Sequence, residues 1–170
     1  MGRVTEKVPG ADASGLTGLA QALGFSGGLG DEHVRWALYQ EALRRGALDL
    51  LLLAVAEDPD HVMAAGAVVG ALEQVRPDER GRWVSVTTGW STADFVARRA
   101  GELDVLESVT RTVDGDESPA FADDVDGWSD WLQRRASVPA TRAEVLEVLA
   151  ERGRTRRIRH TAAEALTRRA

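Results

Sequence analysis

Seven arginines crowd the last nineteen positions of this 170-residue chain: Arg152, Arg154, Arg156, Arg157, Arg159, Arg168 and Arg169. Guanidinium groups at a turn and at the start of a helix can hold phosphate or carboxylate groups through charge-assisted hydrogen bonds. The same cluster also reads as a solvated polar end cap, paired with the acidic residues 102–130 within the molecule or in a second copy of the chain. Arg168 and Arg169 suit a helix C-terminus without any ligand. Both readings stay open, and the first five arginines are the candidate partner-binding or anion-binding residues. Tryptophan is the second signal, with five in the chain, because this side chain is enriched at the centres of interfaces. Trp128 and Trp131 stand three apart beside the acidic run, which assigns Trp128 to the core and Trp131 to its partly exposed margin. Trp83 and Trp90 flank the least regular stretch and are candidate linings of a concave binding surface.

Catalytic patterns are missing from the sequence. His33, His61 and His160 lie far apart, and no HExxH or HxH spacing brings two imidazoles to one metal. The absence of cysteine removes thiolate nucleophiles, disulfides and cysteine-bound zinc. No Gly-x-Ser-x-Gly elbow is present. The acidic run DGDESPAFADDVDGWSD (residues 114–130) lacks calcium-loop spacing. A loop starting at Asp114 has Pro119 where glycine is needed and Val125 where the bidentate glutamate belongs. GFSGGLG (residues 24–30) lacks the preceding strand, the GxGxxG spacing and the lysine of a phosphate cradle, so it is assigned as a flexible connection. No catalytic, cofactor or metal residue is assigned.

Composition sets the class. At 44% hydrophobic and 28% charged residues, the chain can bury a sizeable core, and its net charge of −6 argues against nucleic-acid binding by the whole surface. The longest apolar run, residues 47–56, is interrupted by Asp49 and is shorter than the roughly 20 residues of a membrane span. With no signal-like start, a cytoplasmic location is the expectation.

Helical signals dominate the chain in order. Residues 1–14 mix charges, Pro9 and Gly10 without periodicity and read as a flexible N-terminal arm, with a single helical domain over residues 15–170. Leu16, Leu19 and Leu23 recur at helical spacing. Asp31 caps a helix that runs to about Arg45 and stops at Gly46. Residues 47–57 read as a helix buried almost throughout. Asp58 then caps the next helix, with Pro59 in its first turn. In that helix Val62, Ala65, Val69 and Leu72 form one apolar stripe and Ala64, Val68, Ala71 and Val75 another. RPDERGRWVSVTTGW (residues 76–90) is assigned as a distorted helix, since a lone strand would have no partner. Ser91 opens a capping box with Asp94 for a helix running to about Val113, with Val96, Ala100, Leu103 and Leu106 inward. After a turn at residues 113–117, Ser118 and Pro119 open a helix carrying Phe121, Val125, Trp128 and Leu132, which Gly127 can interrupt. Thr141 and Glu144 form a capping box for the penultimate helix, Gly153 ends it, and Thr155 caps the last.

ERGRTRRIRHTAAEAL (residues 151–166) resembles the second half of a HEAT repeat, a turn followed by a helix of the form V-R-x-x-A-A-x-A-L. Ile158, Arg159, Ala162, Ala163, Ala165 and Leu166 occupy those positions. EDPDHVMAAGAVVGAL (residues 57–72) is a partial copy. Val62 and Ala65 fit and Asp58, Pro59 and Asp60 supply the turn, but Met63 stands where arginine is expected. FVARRAGELDVL (residues 95–106) is a degenerate third. The resemblance implies an all-α fold, a short α-solenoid of antiparallel helix pairs, each pair burying itself against its neighbours. It further implies a binding scaffold and says almost nothing about what is bound; the first reading is a non-enzymatic module for a protein partner, with no cofactor and no membrane. Self-association through the acidic and arginine-rich segments is an open possibility. The alternative is a nucleic-acid-binding protein, or an enzyme similar to the HEAT-like alkylpurine DNA glycosylases, using the C-terminal arginines. The net charge of −6 disfavours it.

Overall fold

Helices this short gain little from propensity alone and stand only where a partner covers their apolar face, so the order of caps and contacts explains the fold. The structure, a computed structural model, describes residues 15–110 and 124–169. Among the described residues it is all-helical, with nine α-helices and no strand: α1 (Gly15–Leu23), α2 (Glu32–Arg45), α3 (Leu48–Ala56), α4 (His61–Leu72), α5 (Arg80–Ser85), α6 (Ala93–Thr110), α7 (Asp130–Ala136), α8 (Ala143–Arg152) and α9 (Arg156–Thr167). None of these helices is long and apolar enough to cross a membrane. The chain divides between Ala100 and Gly101, inside α6, into two compact units. The expected N-terminal arm, the turn at residues 113–117, the cap at Ser118 and Pro119 and the stripe residue Phe121 lie outside the described residues.

In the first unit, α2 has the ends its sequence predicts. The Asp31 carboxylate accepts from the His33 amide at 2.8 Å, which holds that carboxyl below its usual range. Gly46 at φ 67° closes the other end in the left-handed region that glycine adopts without strain. The glycine-rich connection before α2 is tied at its end rather than loose, because the Arg35 guanidinium donates to the Leu29 and Gly30 carbonyls at 3.1 and 3.2 Å.

The cap of α4 corrects the sequence reading. Asp60, not Asp58, accepts from the Val62 and Met63 amides at 3.1 and 3.0 Å. Asp58 is instead fully buried and receives Arg35 Nε at 3.0 Å, the Tyr39 hydroxyl at 2.5 Å and the Asp60 amide at 2.7 Å. One carboxylate thus joins α2 to the turn between α3 and α4. Burial, and then the Asp58 hydrogen bond, push the Tyr39 hydroxyl well above the ordinary phenol range, so it stays a donor.

Two other expectations change. α3 is not buried throughout: Leu51, Ala54 and Val55 are covered, whereas Leu53 is 58% exposed. Its neighbours α1, α2 and α4 leave one side open. α1 comes close enough that a Cβ on Gly15 would lie 2.4 Å from the Leu53 carbonyl oxygen. On α4, Ala64, Ala65, Val68, Ala71 and Leu72 are buried as expected, but Val62 in the capped first turn is 67% exposed. Residues 77–85 are helical, a 3-10 turn at Pro77–Glu79 leading into α5, and residues 86–90 continue as turns and a bend rather than as the expected distorted helix. α6 begins at Ala93 and no side-chain bond from Ser91 caps it.

The second unit packs the later part of α6 with α7, α8 and α9. Val109, Val125, Trp128, Leu132, Leu146 and Ile158 belong to its buried cluster. Gly127 ends a short 3-10 turn, Val125–Gly127, and Trp128 turns extended, so the expected single helix is interrupted there. Ser129 caps α7, accepting from the Leu132 amide at 3.2 Å. The Thr141/Glu144 capping box does not form. The Thr141 amide closes a turn onto the Val138 carbonyl at 3.0 Å and the Arg142 amide bonds the Val109 carbonyl at 2.9 Å, so α8 starts one residue late. Thr141 is left buried with its hydroxyl unpartnered among the described residues.

Two predictions follow from the first unit. Asp58→Ala strands a buried guanidinium and a buried phenol and should cost about 3–5 kcal/mol, whereas Asp60→Ala removes a helix cap and should cost about 1 kcal/mol. Chemical denaturation of the two variants checks the order, which is the reverse of what the sequence pattern implies. Hydrogen bonds from Arg44, against a smaller desolvation effect, and from Arg45 hold the Glu41 carboxyl at about 2. A lowered carboxylate stabilises the fold above its unfolded pKa and loses that effect as pH falls through the folded one. Carboxyl NMR should therefore show Glu41 titrating near 2, and Glu41→Gln should flatten the loss of stability between the ordinary glutamate range and that value.

Candidate functional site

Local chemistry builds the arginine-rich hairpin of α8 and α9. Thr155, in extended conformation, accepts from the Ile158 amide at 3.2 Å and starts α9 as its side chain predicts. Gly153 ends α8 without left-handed geometry; the requirement for glycine is space. A Cβ there would lie 2.4 Å from the Leu149 carbonyl oxygen and 2.7 Å from Ile158 Cγ2. Ile158, Ala162 and Ala165 are buried, with Leu166 packed at the margin of the same cluster. This apolar side turns Arg156 and Arg157 outward, and both are exposed.

The seven arginines are not equivalent. Arg152 pairs with Asp126 at 2.9 Å. Arg154 lies 3.5 Å from Asp130 and donates to the Trp128 carbonyl at 2.9 Å. Arg159 donates to the Gly153 carbonyl at 2.7 Å, bracing the turn before its own helix. Arg168 faces Glu164 at 3.7 Å, and Arg169 donates to the Pro139 and Thr141 carbonyls. Arg156 and Arg157 make no ion pair or hydrogen bond with the described residues beyond their helix backbone. Part of the acidic run, Asp126 and Asp130, thus meets the cluster inside the molecule, and among the described residues Arg156 and Arg157 face no internal counter-charge.

Arg157 also lines a cavity of about 220 Å3 between α7 and α9, together with Arg134, Ser137, Ile158 and Thr161. Arg134 donates to the Asp130 carbonyl at 3.0 Å, and its guanidinium stays 4.0 Å from the Asp130 carboxylate.

Sequence reasoning missed Gln133, which positions the whole hairpin. Fully buried, its amide nitrogen donates to the Val125 carbonyl at 2.9 Å and its oxygen accepts from the Arg154 amide at 2.8 Å. A buried glutamine inside a helix is itself a sequence anomaly, but without the fold nothing says which backbone groups it serves.

The tryptophans separate by burial. Trp83, expected to line a concave surface, is fully buried in the first unit and cannot meet a partner there. α5 carries it inward beside buried Arg80, whose Nε donates to the Leu72 carbonyl at 3.4 Å. Trp90 is half-buried and stacks on His61 with ring centres 4.6 Å apart. Trp128 is core, and Trp131 lies at its margin with the Arg135 guanidinium 5.5 Å from its ring centre. Among the described residues no three His, Asp or Glu side chains gather as metal ligands. No protein-family model matches this chain, and neither a curated protein nor a solved structure matches it.

Because the Gly153 cradle is closed by backbone, Gly153→Ala should destabilise the second unit by about 1–3 kcal/mol. Gly127→Ala meets no atom within 4 Å and needs no positive φ, so it should change stability by less than about 1 kcal/mol. Thermal or urea unfolding of the pair checks the contrast.

Proposed function

We propose that this protein is a non-enzymatic interaction module of the HEAT-like helical type, in which antiparallel helix pairs stack as a short α-solenoid and the C-terminal hairpin docks an acidic segment of a protein partner. One observation carries the reading: Arg156 and Arg157 stand exposed on the first turn of α9 with no side-chain partner among the described residues, while every other arginine of the hairpin is engaged internally. Two guanidiniums on a braced helix present planar, always-charged donors to carboxylates at little entropic cost. The helical pattern at Ile158, Ala162, Ala165 and Leu166 supports the repeat assignment.

Duplex nucleic acid fits less well. On α9, Arg156 and Arg157, with no partner among the described residues, allow about two phosphate contacts, a log-affinity slope near −2 against log salt, far below that of proteins making 6–10 such contacts. The net charge of −6 opposes approach.

Fluorescence titration with an extended Asp/Glu-rich peptide and with a short DNA duplex, both at low salt, separates the readings. The peptide should bind and the Arg156→Glu/Arg157→Glu variant should lose at least tenfold in affinity, with no measurable duplex binding. A duplex that binds with a slope steeper than about −2, or a peptide indifferent to the double substitution, removes the proposal.

A further inference from the structure

The geometry points to the cavity between α7 and α9 as a pocket for a phosphoryl group carried on the acidic partner, a site that rests on the partner reading above and makes it specific. Arg134 comes from α7 and Arg157 from the first turn of α9, so two arginines from different helices line one cavity of about 220 Å3. Arg157 has no internal partner among the described residues. Arg134 holds its own helix carbonyl through Nε and has only a 4.0 Å approach to a carboxylate, which leaves its terminal nitrogens open to a closer anion.

The remaining walls fit the rest of a phosphoester. Thr161 stands one turn after Arg157 on α9, and its hydroxyl makes no hydrogen bond with the described residues. Ile158, 1% exposed, offers an apolar surface to the carbon that bears the ester oxygen. Ser137 is committed to the Gln133 carbonyl at 2.7 Å and forms wall rather than donor. Two forked cations and a free hydroxyl match a tetrahedral group of charge near −2 with three acceptor oxygens. A single carboxylate would leave one cation unsatisfied.

Amide NMR on the full chain tests this with three probes: an aspartate-rich peptide containing phosphoserine, the same peptide with serine, and inorganic phosphate. The phosphopeptide should bind at least tenfold more tightly than the serine peptide, with saturable shifts at Ser137, Arg157 and Thr161. Arg134→Gln and Arg157→Gln should each weaken it about tenfold, the effect of one lost charge-assisted hydrogen bond. Thr161→Val should weaken it less, and Arg168→Gln, which changes the net charge equally at the far end of α9, less than twofold. Unchanged spectral dispersion certifies that each variant is folded. Equal affinity for the two peptides, or an Arg168→Gln loss as large as that of Arg157→Gln, overturns the pocket and leaves the acidic-partner reading standing. Phosphopeptide binding lost in the Arg134 and Arg157 variants, with no binding of the serine peptide, sustains the pocket and removes the broader carboxylate reading. Inorganic phosphate bound while the phosphopeptide is refused overturns the pocket as a protein-partner site, and no shift with any probe removes both proposals.

Discussion

The buried carboxylate of Asp58 is the interaction on which the first unit depends. A chain folded from short helices must turn often, and each turn brings backbone and side-chain polar groups close to the core, where water cannot satisfy them. Asp58 meets that constraint from inside the turn between α3 and α4, receiving a guanidinium and a phenol from α2 and the amide that leads into α4. Arg35, held at Nε by Asp58, also reaches back to the loop before α2. Four segments are thereby fixed by one charge pair. Gln133 plays the neutral counterpart in the second unit, spanning the carbonyl of Val125 and the amide of Arg154.

The arginine cluster owes its chemistry to the same kind of satisfaction. Arg152 and Arg154 emerge where the chain of residues 126–130 runs past, and so find carboxylates and a carbonyl there. Arg159 and Arg169 fall within reach of loop carbonyls that would otherwise be open. Arg156 and Arg157 project from the first helical turn and meet no carboxylate or carbonyl through their side chains among the described residues. What distinguishes the candidate site is therefore not the number of cations but which ones the fold leaves uncompensated.

Local signals were legible where the physics is local. Asp31 and Gly46 bound α2, and Thr155 starts α9, because a side-chain cap or a left-handed glycine acts within three or four residues. Signals that looked just as local failed where a distant group competed for the same atoms. Asp58 serves Arg35 and Tyr39 rather than α4, and Thr141 is displaced from its helix because the next amide bonds Val109. Burial failed in the same way: the apolar run of α3 and the indole of Trp83 are identical in kind, yet one is partly open and the other closed, according to what the neighbouring elements cover.

By itself the amino-acid pattern determined that this chain is helical, where several helices start and stop, and that its positive charge gathers at the C-terminal hairpin. These follow from 3.6-residue periodicity, from capping chemistry and from counting, none of which needs a partner distant in sequence. Only the tertiary structure decided which carboxylate would be buried, which tryptophans would be unreachable, and which two of seven arginines would lack a partner among the described residues. Those outcomes depend on groups brought together from far along the chain, and a buried polar atom takes the partner that packing puts within reach of a hydrogen bond.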